Sequence, residues 1–167
     1  MKKFYSFLST IIFVILVTAL TNCSKESDTS QTPIQNVLGY AQKGPFINGS
    51  SVTAYDLKSD LSPTGKSFNM QITDNKGSFQ LNNVSLSSNY VSLRADGFYF
   101  NEVLGQQSVA QITLYTLSDI SGKSDININI LTHLEKPRVE YLMKNGKSFA
   151  DSKIQAQKGI LAIFNIE

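Results

Sequence analysis

Few side chains in this sequence could do chemistry. Cys23 is the sole thiol and His133 the sole imidazole among 167 residues. A thiolate is a nucleophile, and imidazole is the group that titrates nearest neutrality when unperturbed. Catalytic zinc takes three protein ligands, yet the chain holds neither a His-x-x-x-His pair nor a second cysteine. Glu135 and Glu140 add carboxylates near His133, but Pro137 intervenes and fixes no common face. Ser, His and Asp all occur, without the Gly-x-Ser-x-Gly elbow that would present a nucleophile. No Gly-x-x-x-x-Gly-Lys-Ser/Thr phosphate loop is present, and the carboxylates are scattered singly, without EF-hand spacing. His133 therefore reads as a helix-start residue contacting a sheet. The expectation is a protein that is not an enzyme, with no metal and no cofactor.

The remaining candidate, Cys23, is placed by what precedes it. Met1-Lys2-Lys3 is a cationic start, and residues 4–20 are almost wholly apolar. A positive start, an apolar stretch and small residues before a cleavage point make a secretory signal rather than a fold element. The stretch is short of the roughly 20 apolar residues, polar on both flanks, that a spanning helix needs. Leu20-Thr21-Asn22-Cys23 resembles a bacterial lipobox, with Asn22 standing where Gly, Ala or Ser is usual. That resemblance implies cleavage before Cys23 and acylation of its thiol. Each buried CH₂ of an acyl chain contributes about 0.8 kcal/mol, so several chains anchor stably where one binds only marginally. A plain secreted protein with a stray exposed thiol is the competing reading.

Composition narrows the partners. Removing Lys2 and Lys3 from the 15 basic residues leaves 13 against 13 acidic ones, a neutral mature chain. Nucleic acid calls for a basic face to meet phosphate, so it is not expected as a partner. Without a cysteine beyond position 23 there is no disulfide framework. Residues 24–36 are Ser/Thr/Gln-rich with no apolar period, the composition of a tether. Ser24, not Asp, follows Cys23, so the inner-membrane retention signal of well-studied bacteria is absent. Lys25-Glu26-Ser27-Asp28 is similar to charged signals that send some lipoproteins to the cell surface, with a solvated linker as the competing reading.

From Val37 onward the pattern is that of strands. Phe68, Met70 and Ile72 alternate with polar residues, as do Val91, Leu93 and Ala95, and Ala110, Ile112 and Leu114. Between them lie the turn signals Asn48-Gly49-Ser50, Ser62-Pro63-Thr64-Gly65, Asp74-Asn75-Lys76-Gly77 and Asp96-Gly97. Short alternating strands at this spacing predict an antiparallel β-sandwich rather than a parallel α/β sheet.

Thr73-Asp74-Asn75-Lys76-Gly77-Ser78-Phe79 is similar to the signature of carboxypeptidase regulatory-like domains, which share the transthyretin (prealbumin) sandwich. Gly39, Asn48-Gly49-Ser50-Ser51-Val52 and Arg94-Ala95-Asp96-Gly97-Phe98 follow the same order. The resemblance spans residues 37–117 and implies a seven-stranded, transthyretin-like or Ig-like sandwich serving as a structural or binding module. The residues argue likewise: Asp74 can accept bonds within its own turn, Gly77 can take φ > 0, and Phe79 can fill the core. Phe98-Tyr99-Phe100 raises a glycan platform with Tyr99 as the contact; the commoner arrangement puts Phe98 and Phe100 in the core with Tyr99 outside.

Beyond Ser121-Gly122-Lys123-Ser124 the period changes. Thr132 and Glu135 have capping-box spacing, but Pro137 forfeits a helical bond, which favours a helix over 137–144 closed by Asn145-Gly146. Ser148 and Asp151 predict a second start, with Ile154, Ile160, Leu161 and Phe164 as its buried stripe. Interspersed Lys136, Arg138, Lys144, Lys147, Lys153, Lys158, Glu135, Glu140 and Asp151 read as a solvated face. The expected organisation is a signal peptide over 1–22, a tether over 23–36, a β-sandwich over 37–118, and a linker with a helical hairpin over 119–167. The expected setting is the outer membrane, through the lipid anchor, with an envelope protein or a glycan as partner. The alternative is an accessory module of a surface hydrolase or uptake system.

Overall fold

The computed structural model describes residues 33–34, 36–123 and 125–166; Leu20, Thr21, Asn22 and Cys23 lie outside them. The fold is mainly β, with two helices at the C-terminal end. Among the described residues eleven strands form in order: β1 (Pro33–Ile34), β2 (Val37–Gln42), β3 (Ser51–Leu57), β4 (Pro63–Gln71), β5 (Ser78–Leu81), β6 (Val84–Ser85), β7 (Tyr90–Gly97), β8 (Phe100–Asn101), β9 (Gln106–Gln107), β10 (Ile112–Asp119) and β11 (Asp125–Asn129). The helices are α1 (Ile130–Lys144) and α2 (Phe149–Ile163).

Period-2 alternation builds two sheets and decides what lies between them. One has four antiparallel strands in the order β10-β7-β3-β4, and the other has three, β11-β2-β5. Val52 and Ala54 of β3, Val91, Leu93 and Ala95 of β7, and Leu114 of β10 meet Val37 and Ala41 of β2, Phe79 and Leu81 of β5, and Ile126 and Ile128 of β11. These residues form one buried cluster. β2 pairs antiparallel with β5 but parallel with β11, so the sheet is not wholly antiparallel as the alternation suggested. The reason is connectivity: the chain leaves β10, passes through residues 120–124 and enters the second sheet in the same direction as β2. Two short ribbons, β1-β6 and β8-β9, complete the strands.

Several local expectations shift. Pro63 and Gly65 lie inside β4, and the preceding turn is made by Asp60, whose carboxylate accepts the Ser62 N–H, with Leu61 at φ +67°. Ala110 is exposed and precedes β10. The first helix begins at Ile130, not Pro137. Asn129 is its cap: its side chain accepts the Thr132 N–H at 2.9 Å, and the Thr132 hydroxyl accepts the Asn129 N–H at 2.9 Å. Pro137 stands in the interior of α1 at a cost of about 3 kcal/mol. Val139 and Leu142 lie beyond it and are buried, and burying two such side chains contributes about 3–6 kcal/mol together, enough to carry the helix through. It ends where expected, on Asn145 with Gly146 at φ +86°.

The hairpin packs on the four-stranded sheet. Leu117 points away from Leu114 and joins Leu57, Val139, Phe149 and Ala156 in a second buried cluster. Tyr90 of β7 stacks on Phe149 with ring centroids 4.5 Å apart. Ser148 caps α2, accepting the Asp151 N–H at 3.1 Å. The stripe read from sequence is not the buried face: Phe149, Ser152 and Ala156 are buried, whereas Ile154 and Phe164 are 53% and 47% exposed. Small side chains at Ser152 and Ala156 let the helix approach closely, and tight approach decides which face goes in.

Candidate functional site

A buried carboxylate with one unpartnered oxygen lies between the two helices. Glu135, on α1, is 3% exposed. Its Oε2 accepts from Lys153 Nζ of α2 at 2.9 Å, and the same ammonium donates to the Leu117 carbonyl at 3.0 Å. Oε1 of Glu135 is buried with no hydrogen-bond partner. The carboxylate borders a cleft of about 250 Å³ whose other walls are Asn129, Leu131, Thr132, Gln157, Ile160 and Leu161. Neutralised by Lys153, Glu135 can accept one more hydrogen bond while the leucine and isoleucine walls hold an apolar body. Glu135 is thus not part of a solvated face, and it does not close the cap. Its partner sits on a different helix, so spacing along the chain gave no signal for the pair.

His133 docks α1 onto the sheet edge. Its Nδ1 accepts the Tyr115 N–H at 3.3 Å, and its ring stacks on Tyr115 with centroids 5.7 Å apart. Thr132 donates its hydroxyl to the Tyr115 carbonyl at 3.2 Å. Both backbone groups of Tyr115 are therefore held by the first turn of the helix. Among the described residues no group of three or more His, Cys, Asp or Glu side chains could hold a metal ion.

Asp74, Gly77 and Phe79 come together as one turn. Asp74 accepts the Ser78 N–H at 3.0 Å, the Ser78 hydroxyl at 2.9 Å and the Lys76 N–H at 2.9 Å. The Ser78 N–H is the foremost cause that holds its carboxyl below the ordinary value of 3.8. Gly77 sits at φ +82° with its carbonyl on the Ala41 N–H; an added Cβ would fall 2.3 Å from the Ala41 oxygen. Phe79 is 2% exposed. All three work on the turn and the core.

Tyr99 is buried rather than outside. The residue is 9% exposed, and its ring lies under Lys43, whose Nζ is 4.6 Å from the ring centroid and donates to the Tyr99 hydroxyl at 2.8 Å. It offers no open face for a sugar. The alternation runs opposite to expectation, because Phe100 is the exposed member at 40%.

No family model, no curated protein and no solved structure matches this chain.

A buried carboxylate that sequence reading missed is Asp56. It is fully buried in β3, beside a register shift between Tyr55 and Leu57. It accepts the Ser87 N–H at 3.0 Å, the Ser87 hydroxyl at 2.7 Å and the Thr64 hydroxyl at 2.9 Å. The knot joins three segments. Buried charge is tolerated when it is fully bonded, which marks Asp56 as structural. The one hint in the sequence is an acid on the inward side of an otherwise apolar alternation, after Val52 and Ala54.

Proposed function

We propose that this protein is a lipid-anchored component of the outer membrane, acting as a non-catalytic binding or bracing module. The observation that carries the reading is the cationic start, the apolar stretch over 4–20 and Leu20-Thr21-Asn22-Cys23 at its end. Cleavage before Cys23 leaves a thiol for diacylglycerol and an amine for a third acyl chain, enough apolar surface for stable anchoring. Residues 24–32 tether the folded body, a shorter tether than the composition suggested because Pro33–Ile34 pair with β6; that body is a seven-stranded sandwich of the transthyretin type related to carboxypeptidase regulatory-like domains. Support for that fold type comes from the four-plus-three strand arrangement and from the Asp74 turn, where Gly77 and Phe79 do the work that the motif implies. An envelope protein or a glycan is the partner, met through loops and helices; nucleic acid is not.

Metabolic labelling with an alkyne-tagged palmitate tests the anchor. The wild-type chain is expected to take up label and fractionate with membranes, and Cys23→Ser to lose both. Label retained by Cys23→Ser would refute the lipid anchor. Protease treatment of intact cells then decides which face of the membrane the body occupies.

The cleft beside Glu135 favours a second reading, an accessory module that holds a small amphiphile for a hydrolase or uptake system. Saturation-transfer NMR with short-chain alcohols would show contacts that Leu161→Trp removes; a spectrum unchanged by that substitution counts against it.

A further inference from the structure

The two edges of the four-stranded sheet are finished differently. At β10, side chains of both helices take outward backbone groups: His133 and Thr132 hold Tyr115, and Lys153 holds the Leu117 carbonyl. At β4, among the described residues, no strand or helix lies along the outer side. The first half of β4 carries the usual protections of a free edge. Pro63 has no N–H, Gly65 sits at φ +90°, the register shifts opposite it, and Lys66 adds a charge. Residues 67–71 have none of these.

Beside that bare half runs a groove of about 650 Å³ between β4 and the β5–β6 segment. Phe68, Met70, Leu81 and Val84 give it apolar lining, and none of its 11 lining residues is charged. Such a site suits an extended, uncharged backbone with apolar side chains at alternate positions, adding as a strand. Residues 24–32 of the same chain fail that requirement, since they carry Lys25, Glu26 and Asp28 and no large apolar residue. Residues 67–71 meet it themselves: Phe68 and Met70 alternate with Ser67, Asn69 and Gln71. The edge is complementary to its own copy.

We propose that two copies of this chain pair antiparallel through β4, joining their four-stranded sheets across a two-fold axis. A two-fold contact is isologous, and opposite residues in an antiparallel pair share a face. A register centred on Asn69 therefore sets Phe68 of one copy against Met70 of the second copy, with both side chains entering the groove.

Single cysteines at Ser67, Asn69 and Gln71 of the full-length protein, oxidised in cells with copper–phenanthroline, test the pairing. Asn69→Cys alone is expected to give a covalent dimer, as is Ser67→Cys coexpressed with Gln71→Cys. The unsubstituted chain, whose single Cys23 carries the lipid in the proposed anchor, gives the baseline, and Gln155→Cys on the exposed side of α2 controls for random collision. Asn69→Lys, at an exposed position that should not disturb folding, sets like charges opposite each other and is expected to abolish the mixed dimer. Three results would overturn the proposal. These are no dimer above baseline from β4, equal dimer from Gln155→Cys, and an intrachain bond between Asn69→Cys and a second cysteine placed at Ser27, which would mean the chain's own N-terminal segment covers the edge.

Discussion

Replacing Asp56 with Ala removes the acceptor that Ser87 and Thr64 share in the core. The three donors do not lose equally. Thr64 Oγ1 also lies 3.1 Å from the Asp56 backbone carbonyl and keeps that partner, and the Ser87 hydroxyl can rotate. The Ser87 N–H cannot re-aim, and, half-buried as Ser87 is, leaving it unbonded costs about 1–3 kcal/mol. Loss of the charge-assisted hydroxyl bond adds about 1.5 kcal/mol, partly offset because a carboxylate no longer has to be desolvated. The expected net destabilisation is about 3 kcal/mol, a large share of the 5–15 kcal/mol typical of a domain. Asp56→Asn retains one oxygen for the Ser87 N–H and is expected to cost about half as much. Urea unfolding, followed by far-UV circular dichroism and by tyrosine fluorescence, reads both variants. With slopes of about 1–3 kcal/mol/M, the Ala midpoint falls by about 1–3 M. An Ala variant within 1 kcal/mol of wild type, or an Asn variant less stable than Ala, would show that the knot does not hold these segments.

Gly39→Ala is expected to destabilise by about 3 kcal/mol or more, because its Cβ would fall 2.2 Å from Phe79 Cζ and 2.3 Å from the Ile126 carbonyl oxygen. A gain of about 0.5–1 kcal/mol in thermal unfolding, usual for Gly→Ala in an open strand, would contradict that packing. Pro137→Ala should stabilise by about 1–3 kcal/mol by restoring a helical N–H at an exposed position, and an unchanged melting temperature would count against an uninterrupted α1. Asp74 has a folded pKa below its ordinary 3.8, so its contribution to stability is full above the unfolded value and disappears as pH falls through the folded one. The stability gap between wild type and Asp74→Asn should therefore be constant near neutrality and close below about pH 4; a gap that persists in acid would remove the Asp74 turn as its source.

Much of this fold was legible because its signals are short in range. Period-2 alternation named Val91, Leu93 and Ala95 as inward, Asp74 and Gly77 announced their turn through bonds that reach only a few residues, and Ser148 and Asn145-Gly146 marked helix ends by local dihedral preference. Cys23 likewise rests on its immediate neighbours. Tertiary structure decided the rest. The parallel pairing of β2 with β11 depends on the direction in which a distant strand arrives. Burial of Glu135 depends on Lys153, and burial of Tyr99 on Lys43, partners that no periodicity links. α2 turned its small residues inward and left Ile154 outside because close approach to Leu117 and Val139 outweighed the hydrophobicity of its stripe. Sequence alone determined which residues prefer a strand, a turn or a cap. Which face each element buries, and which sheet edge stays open, were set only when separate segments competed for the same space.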